Sequence, residues 1–182
     1  MRRSRLLPRA ALGAAIAHAG VGVTVIGLAG MSQAEHKIVE VHAGDAIDMA
    51  GYRWTLNNIR SQQGPNFVSR IATITVTRHG RIVTVLHPSK RDFASQSQTT
   101  SEVAIHTNLI RDLYAVLGDE HHGAGGDTAV LRLHDNPLAP WMWLGALVMA
   151  IGGGLSLSDR RVRVGAPRRA SLPRGASVHP LG

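Results

Sequence analysis

The sequence predicts a membrane protein in which two transmembrane α-helices flank a small all-β extracytoplasmic domain, a barrel or a sandwich. Three observations predict it. Ala10–Gly30 is an uncharged run near one end, and Trp141–Leu157 is another near the other end. At 1.5 Å per residue these span roughly 31 and 25 Å, about the thickness of a hydrocarbon core. Between them lie short β-branched runs punctuated by turn residues, without sustained helical periodicity.

The charge distribution fixes an orientation. The chain of 182 residues carries a net +8 and has no cysteine. Residues 1–9 hold Arg2, Arg3, Arg5 and Arg9 and no acid, and residues 141–182 hold six arginines against Asp159 alone. Residues 31–140 have ten basic and eleven acidic side chains, so the whole excess sits outside the two apolar runs. That excludes a basic stripe for nucleic acid on the middle domain. By the positive-inside rule both termini are cytoplasmic and the middle is on the opposite side. The absence of cysteine excludes a disulfide scaffold and a thiolate metal site.

Taken in order, residues 1–9 form a basic cytoplasmic N-terminus and 10–30 the first span. Ser32-Gln33-Ala34 satisfies the small-x-small rule of a cleaved leader, but 21 apolar residues exceed an ordinary leader core, so a retained helix is expected. Residues 31–136 are the β domain. Strands are expected at Lys37–Val41, Tyr52–Leu56, Ile71–Arg78, Arg81–Leu86, Asp112–Leu117 and Thr128–Leu133. Glu102–Ile110 is a further strand or a short helix. Gly44-Asp45 and Gly64-Pro65-Asn66 mark turns, and His79-Gly80 reads as a two-residue hairpin. Gly118–Asp127, rich in Gly and His, is expected to be a loop. Residues 137–158 form the second span, with Trp141 and Trp143 as interfacial aromatics. Residues 159–182 are a basic cytoplasmic tail, and Pro167–Gly182 has the composition of disorder.

His18 is the most informative side chain, because an imidazole near the middle of an apolar span needs a partner. Four of its six helical neighbours at i±3, i±4 and i±7 are Ala or Gly: Ala11, Ala14, Ala15 and Gly22. This shallow face would admit a planar cofactor such as haem with a ring nitrogen on iron. It would equally admit a neighbouring helix hydrogen-bonded to His18, or a proton path. Asp119-Glu120-His121-His122 with Asp127 is a weak divalent-metal candidate whose spacing fits no tight site. Arg53, Arg60, Arg70, Lys90 and Arg91 could meet acidic groups of a ligand through charge-assisted bonds. His36, His42, His79, His87, His106 and His134 read as surface polar residues. No self-sufficient active site is visible.

Leu12–Gly22 (LGAAIAHAGVG), Gly64-Pro65-Asn66, Pro88-Ser89-Lys90-Arg91, Ser101–Ile105 (SEVAI), Asp112-Leu113-Tyr114 with Leu117-Gly118, Pro137 with Trp141–Gly145 (WMWLG), and Asp159-Arg160-Arg161 occur in this order. Together they resemble the C-terminal portion of the CcmF family, cytochrome c-type biogenesis proteins of the bacterial inner membrane thought to form a haem lyase. The resemblance covers about residues 5–165. Ser89 and Phe93 stand where the family usually has Glu and Tyr. The many upstream transmembrane helices of full members, with their Trp-rich haem-handling region and other histidines, are missing. The resemblance implies that the chain assembles with an N-terminal haem lyase portion or subunit. It further implies His18 as an axial ligand of a membrane haem b, bonded to the haem iron, with Ala14, Ala15 and Gly22 on the haem face. A periplasmic haem chaperone and apocytochrome c with its thiol-handling partners would be the other partners. Gly64, Pro65, Asn66, Lys90 and Arg91 would belong to a docking surface of a periplasmic domain without catalytic residues. The alternative is a non-catalytic assembly subunit or truncated remnant with no cofactor of its own.

Overall fold

The computed structural model describes residues 8–93, 98–123 and 126–159. Helix α1 (Arg9–Met31) leads into β1 (Glu35–His42), β2 (Ala46–Met49), β3 (Tyr52–Gln63), β4 (Phe67–Arg78) and β5 (Arg81–Leu86). These are followed by β6 (Ser89–Phe93), β7 (Gln98–Glu102), β8 (Ala104–Thr107), β9 (Arg111–Gly123), β10 (Gly126–Pro137) and helix α2 (Ala139–Leu157). The strands form a sandwich rather than a barrel. One sheet has the order β1-β10-β9-β8; the other has β2-β3-β4-β6-β7, with β5 also paired to β4. All pairings are antiparallel.

Alternation along the strands sets the core. Leu113, Ala115 and Leu117 of β9 and Ala129, Leu131 and Leu133 of β10 point inward. They meet Trp54 and Leu56 of β3 and Ala72, Ile74 and Val76 of β4, all of them almost fully buried. His79-Gly80 makes the expected two-residue hairpin, with φ positive at both residues (51° and 74°), which matches the twist of the flanking strands. Ala50-Gly51 closes the β2–β3 hairpin in the same way.

Three expectations are corrected. Gly118–Asp127 is not a loop: β9 continues to Gly123 and β10 starts at Gly126, and cross-strand pairs at Thr128↔His121 and Asp127↔His122 extend the hairpin. Its glycines and histidines hid a ladder whose stability comes from pairing rather than from β propensity. Glu102–Ile110 is neither one strand nor a helix; it divides into the end of β7, all of β8 and a turn at Asn108–Ile110. Among the described residues the strands number ten rather than six or seven, because β2 is only four residues long and β6 and β7 are short and polar. The Pro167–Gly182 tail lies outside the described residues.

The helices pack antiparallel along a stripe of small residues. Gly13, Gly20 and Gly27, one every seventh residue, are the buried positions of α1. They face Gly145, Gly152 and Ala139 of α2, its buried positions. A Cβ on Gly13 would lie 2.6 Å from the Gly152 carbonyl oxygen, and one on Gly20 would lie 2.8 Å from that of Gly145. Backbone meets backbone there, as in small-residue helix contacts within bilayers. At one end of the pair the Ala10 N–H donates to Asp159 Oδ2 at 3.0 Å, so the carboxylate following α2 caps the first turn of α1. At the other end Leu138 takes a left-handed conformation (φ 57°) between β10 and α2, and its side chain lies against Gly30.

On the outer face of the β1–β8 sheet, His36, His134, Tyr114 and Ile105 lie side by side in register. His36 and His134 stack with centroids 6.0 Å apart, and Tyr114 meets His134 edge-on at 5.1 Å. Burial, with His36 and Arg132 adding positive charge, holds the half-buried His134 imidazole below its ordinary 6.5. The folded chain therefore resists protonating His134, so this residue's stabilising contribution is complete above pH 6.5 and lost as pH falls through the folded value.

The packing of the helix pair is open to a direct test. Gly152→Val forces a side chain into backbone and is expected to cost about 1–3 kcal/mol in detergent unfolding. Gly153→Ala meets open space and is expected to leave stability unchanged or slightly raised; equal losses in the two variants would refute the close-packed stripe. For His134, the melting temperature of the detergent-solubilised chain is expected to drop between pH 7.5 and 5.5, and His134→Phe to reduce the drop. Identical pH slopes in parent and variant would contradict the assignment.

Candidate functional site

His18 lies near the middle of α1, two residues from Gly20 and so about 160° around the helix from the face packed on α2. It is exposed, as are Ala14, Ala15 and Gly22, and nothing lies within 4 Å of where a Gly22 side chain would begin. The small residues that admit α2 are thus a different set from those beside the imidazole, which is turned away from α2. Its Nδ1 lies 2.8 Å from the Ala14 carbonyl oxygen one turn back. A carbonyl can only accept, so Nδ1 carries the proton, and in the neutral ring the Nε2 lone pair is left for an outside partner. A histidine so held, with one nitrogen on backbone and the other turned outward, suits metal ligation. Val21, Val25, Ile26 and Leu28 are also exposed on α1, as are Trp143, Leu144, Leu147 and Ile151 on α2. Both helices thus present apolar outer surfaces, and both are long and apolar enough to cross a membrane.

The remaining candidates lie on the sandwich. Gly64-Pro65-Asn66 forms the tip of the β3–β4 hairpin, up to roughly 36 Å along β3 from Tyr52. Pro65 and Asn66 are exposed, while Gly64 is half-buried and its N–H donates to the Phe67 carbonyl at 2.8 Å. Lys90 Nζ donates to Asp119 Oδ1 at 2.6 Å, and this bond holds the Asp119 carboxyl below its ordinary 3.8. Arg91 pairs with Glu102 at 2.8 Å and lies over the Phe67 ring. Arg70 pairs with Asp92 at 2.8 Å and approaches Glu120 to 3.3 Å without an aligned hydrogen bond. Arg53 makes a two-pronged bond to Asp48, which lowers that carboxyl in the same way. These cations tie strands together, and β6 to β9 across the two sheets. Ser89 is buried and donates to Glu102 at 2.9 Å.

Of the metal candidate, the side chains of His122 and Asp127 lie outside the described residues, and the remaining three do not converge. Asp119, Glu120 and His121 are successive strand residues, and their partners differ: Lys90, Arg70 and Glu40 respectively. Among the described residues no group of three or more His, Asp or Glu could hold a metal ion.

Sequence reasoning missed a polar cluster at the helix end of the sandwich. Asp135 is 2 % exposed, yet it sits on the inward face of β10 with Leu131 and Leu133. Burial pushes its carboxyl up, partly offset by Arg111, whose Nη1 donates to it at 2.8 Å. Arg111 and Arg78 both lie over the Tyr52 ring, at 5.5 and 5.2 Å. This cluster closes the core where the helices begin. The available signal was a lone carboxylate at an inward position of an otherwise apolar alternation.

A family model described as CcmF C-terminal beta-sandwich matches residues 32–137. Among curated proteins, the chain is 41 % identical over 168 residues to the cytochrome c-type biogenesis protein ccl1 of Rhodobacter capsulatus, covering 91 % of this chain and 25 % of that protein. It is 43 % identical over 171 residues to CycK of Bradyrhizobium diazoefficiens, covering 93 % and 26 %. To CcmF of Escherichia coli K12 it is 39 % identical over 153 residues, covering 83 % and 23 %. Among solved structures, the cytochrome c heme lyase CcmF shares the fold with a TM-score of 0.65 at 22 % identity, over 82 % of this chain and 25 % of that one. The chain therefore spans about a quarter of the length of the curated relatives it matches. With more than half of its residues matched as the family's C-terminal β-sandwich, and that sandwich carried between two apolar helices, the chain belongs to the CcmF family of cytochrome c-type biogenesis proteins.

Proposed function

We propose that this chain is the C-terminal part of a haem lyase that attaches haem to apocytochrome c, and that His18 is an axial ligand of a membrane-embedded haem b. The observation that carries this reading is the pairing of an outward Nε2 with an open small-residue face. Nδ1 is committed to the Ala14 carbonyl, and Gly22 leaves open space one turn on. A porphyrin edge fits beside Ala14, Ala15 and Gly22, where larger side chains would hold it away. When bound, such a haem supplies reversible iron redox chemistry; the chain supplies the ligand, its tautomer and an apolar surround. The opposite ligand would come from the N-terminal haem lyase portion, which also covers the His18 face of α1.

In this reading α1 and α2 span the bacterial inner membrane with both termini cytoplasmic, and the sandwich lies in the periplasm. The basic residues at the two ends of the chain and the near-neutral domain between them support that orientation. The sandwich acts as a docking element for a periplasmic haem chaperone, or for apocytochrome c with its thiol-handling partners. The exposed Pro65 and Asn66 at the hairpin tip are its most projecting contacts. Lys90 and Arg91 shape that surface through their ion pairs rather than as free charges.

The test is an optical spectrum of the chain co-purified with its N-terminal portion. A six-coordinate b-type haem is expected. His18→Ala is expected to lose at least half of it and to lower c-type cytochrome maturation at least tenfold, with co-purification intact. Gly22→Leu, on the same open face, is expected to lower haem content without disturbing α1–α2 packing. Unchanged haem content in His18→Ala would overturn the ligand assignment. Full cytochrome maturation in that variant, with maturation lost on deletion of residues 37–134, would favour a purely assembling role.

A further inference from the structure

The turn between β8 and β9 exposes two large aliphatic side chains, Leu109 at 84 % and Ile110 at 61 %, on the side of the sandwich where the helices begin. Loops with such tips are ordinarily polar. This one is also held rigidly. Asn108 Oδ1 accepts from the N–H groups of Ile110 and Arg111 at 2.8 and 2.9 Å, and the Asn108 N–H donates to the Arg111 carbonyl. The Leu109 carbonyl accepts from Trp141 Nε1 at 2.8 Å, and the Ile110 carbonyl accepts from the Leu138 N–H at 2.6 Å. Trp141 lies in the first turn of α2, and Leu138 directly precedes that helix. The loop tip is therefore pinned level with the start of an apolar helix.

We propose that Asn108–Ile110 is a membrane-resting foot, with Leu109 and Ile110 inserted into the interfacial layer of the leaflet from which α2 descends. The proposal rests on the spanning role of α2 advanced above. Two features favour lipid as the occupant. Residues 105–110 carry no formal charge apart from a titratable His106, and Arg111 is turned inward onto Asp135. In addition, the carbonyls of Leu109 and Ile110 are already hydrogen-bonded within the chain, which is what a backbone needs before it leaves water. The turns at Ala50-Gly51 and His79-Gly80 differ: they are flanked by Asp48, Arg53, Arg78 and Arg81, side chains suited to headgroups rather than to acyl chains. The foot and α2 together would give the sandwich two points of attachment to one leaflet and so fix its tilt.

The chain has no cysteine, so single cysteines can be introduced into it without background from its own residues. Leu109→Cys, Leu147→Cys on the exposed side of α2 and Ile38→Cys on the outer sheet face would each carry an environment-sensitive fluorophore in phosphatidylethanolamine–phosphatidylglycerol nanodiscs. Quenching by bilayers brominated near the top of the acyl chains is compared with quenching by aqueous iodide. The expected result is at least twofold lipid quenching at Leu109→Cys and iodide quenching several-fold weaker there than at Ile38→Cys. Iodide access at Leu109→Cys equal to that at Ile38→Cys would overturn the foot. So would shielding from both quenchers, which would place the side chain against protein rather than lipid. Lipid quenching at Leu147→Cys with none at Leu109→Cys refutes the foot but keeps the span. Absence at both positions refutes the spanning reading and the foot with it.

Discussion

The backbone-to-backbone approach of α1 and α2 governs the rest of the molecule. The two helices feed directly into β1 and out of β10, which are neighbours in one sheet and pair over the whole length of β1, from Glu35↔Asp135 to His42↔Thr128. Paired strands lie about 4.8 Å apart, whereas helices with ordinary side chains between them lie about 8–10 Å apart. A helix pair separated by leucines would splay the strand ends where the ladder has to start. Gly13, Gly20 and Gly27 against Gly145 and Gly152 reduce that mismatch, and Leu138, wedged against Gly30 in a left-handed conformation, absorbs what remains. Helix hairpin and sheet form one continuous antiparallel ribbon.

The glycine stripe also divides α1 by role. One face is consumed by α2, and the opposite face carries His18. Because the heptad spacing of the glycines and the position of His18 share one helix, rotating α1 about its axis would turn the imidazole and its small neighbours toward α2. Both faces of α1 are free of bulk, one where α2 packs and one around His18, and the helix is correspondingly rich in Ala and Gly. The sandwich is built differently. Its core is an apolar alternation closed at the helix end by Asp135, Arg111 and Tyr52, and its sheets are joined along one flank by ion pairs from Arg70 and Lys90.

Much of this was legible in the sequence, for identifiable reasons. Both helices were visible because a run of about 20 uncharged, mostly apolar residues matches the thickness of a bilayer core and little else, and His18 stood out against that background. Ile71–Arg78 and Arg81–Leu86 were legible because β-branched residues and a His-Gly turn agree with one another. The outer half of the β9–β10 hairpin was not, because Gly123, Gly126 and two histidines give no local preference for a strand; only the partner strand supplies it. Ser89–Phe93 and Gln98–Glu102 were illegible for a similar reason, since their polar side chains serve ion pairs across the sheet. In the site, the residue type of His18 and its small neighbours could be read directly. The choice between a face turned to α2 and a face turned outward could not, because Gly20 and Gly22 look alike until one of them is buried.

The carboxylate of Asp159 has a consequence for how the protein is made. It caps the first turn of a helix that lies 149 residues earlier in the chain. At 5–20 residues per second, roughly 7–30 s of synthesis separate the two. Throughout that interval α1 has neither its cap nor the glycine face of α2, and its small-residue groove stays uncovered by them. Any other helix with a matching stripe is a competitor for that groove until synthesis of α2 is complete. Assembly order is thus written into the hairpin: α1 is held open until α2 has been made, and the residue just after α2 locks the beginning of α1.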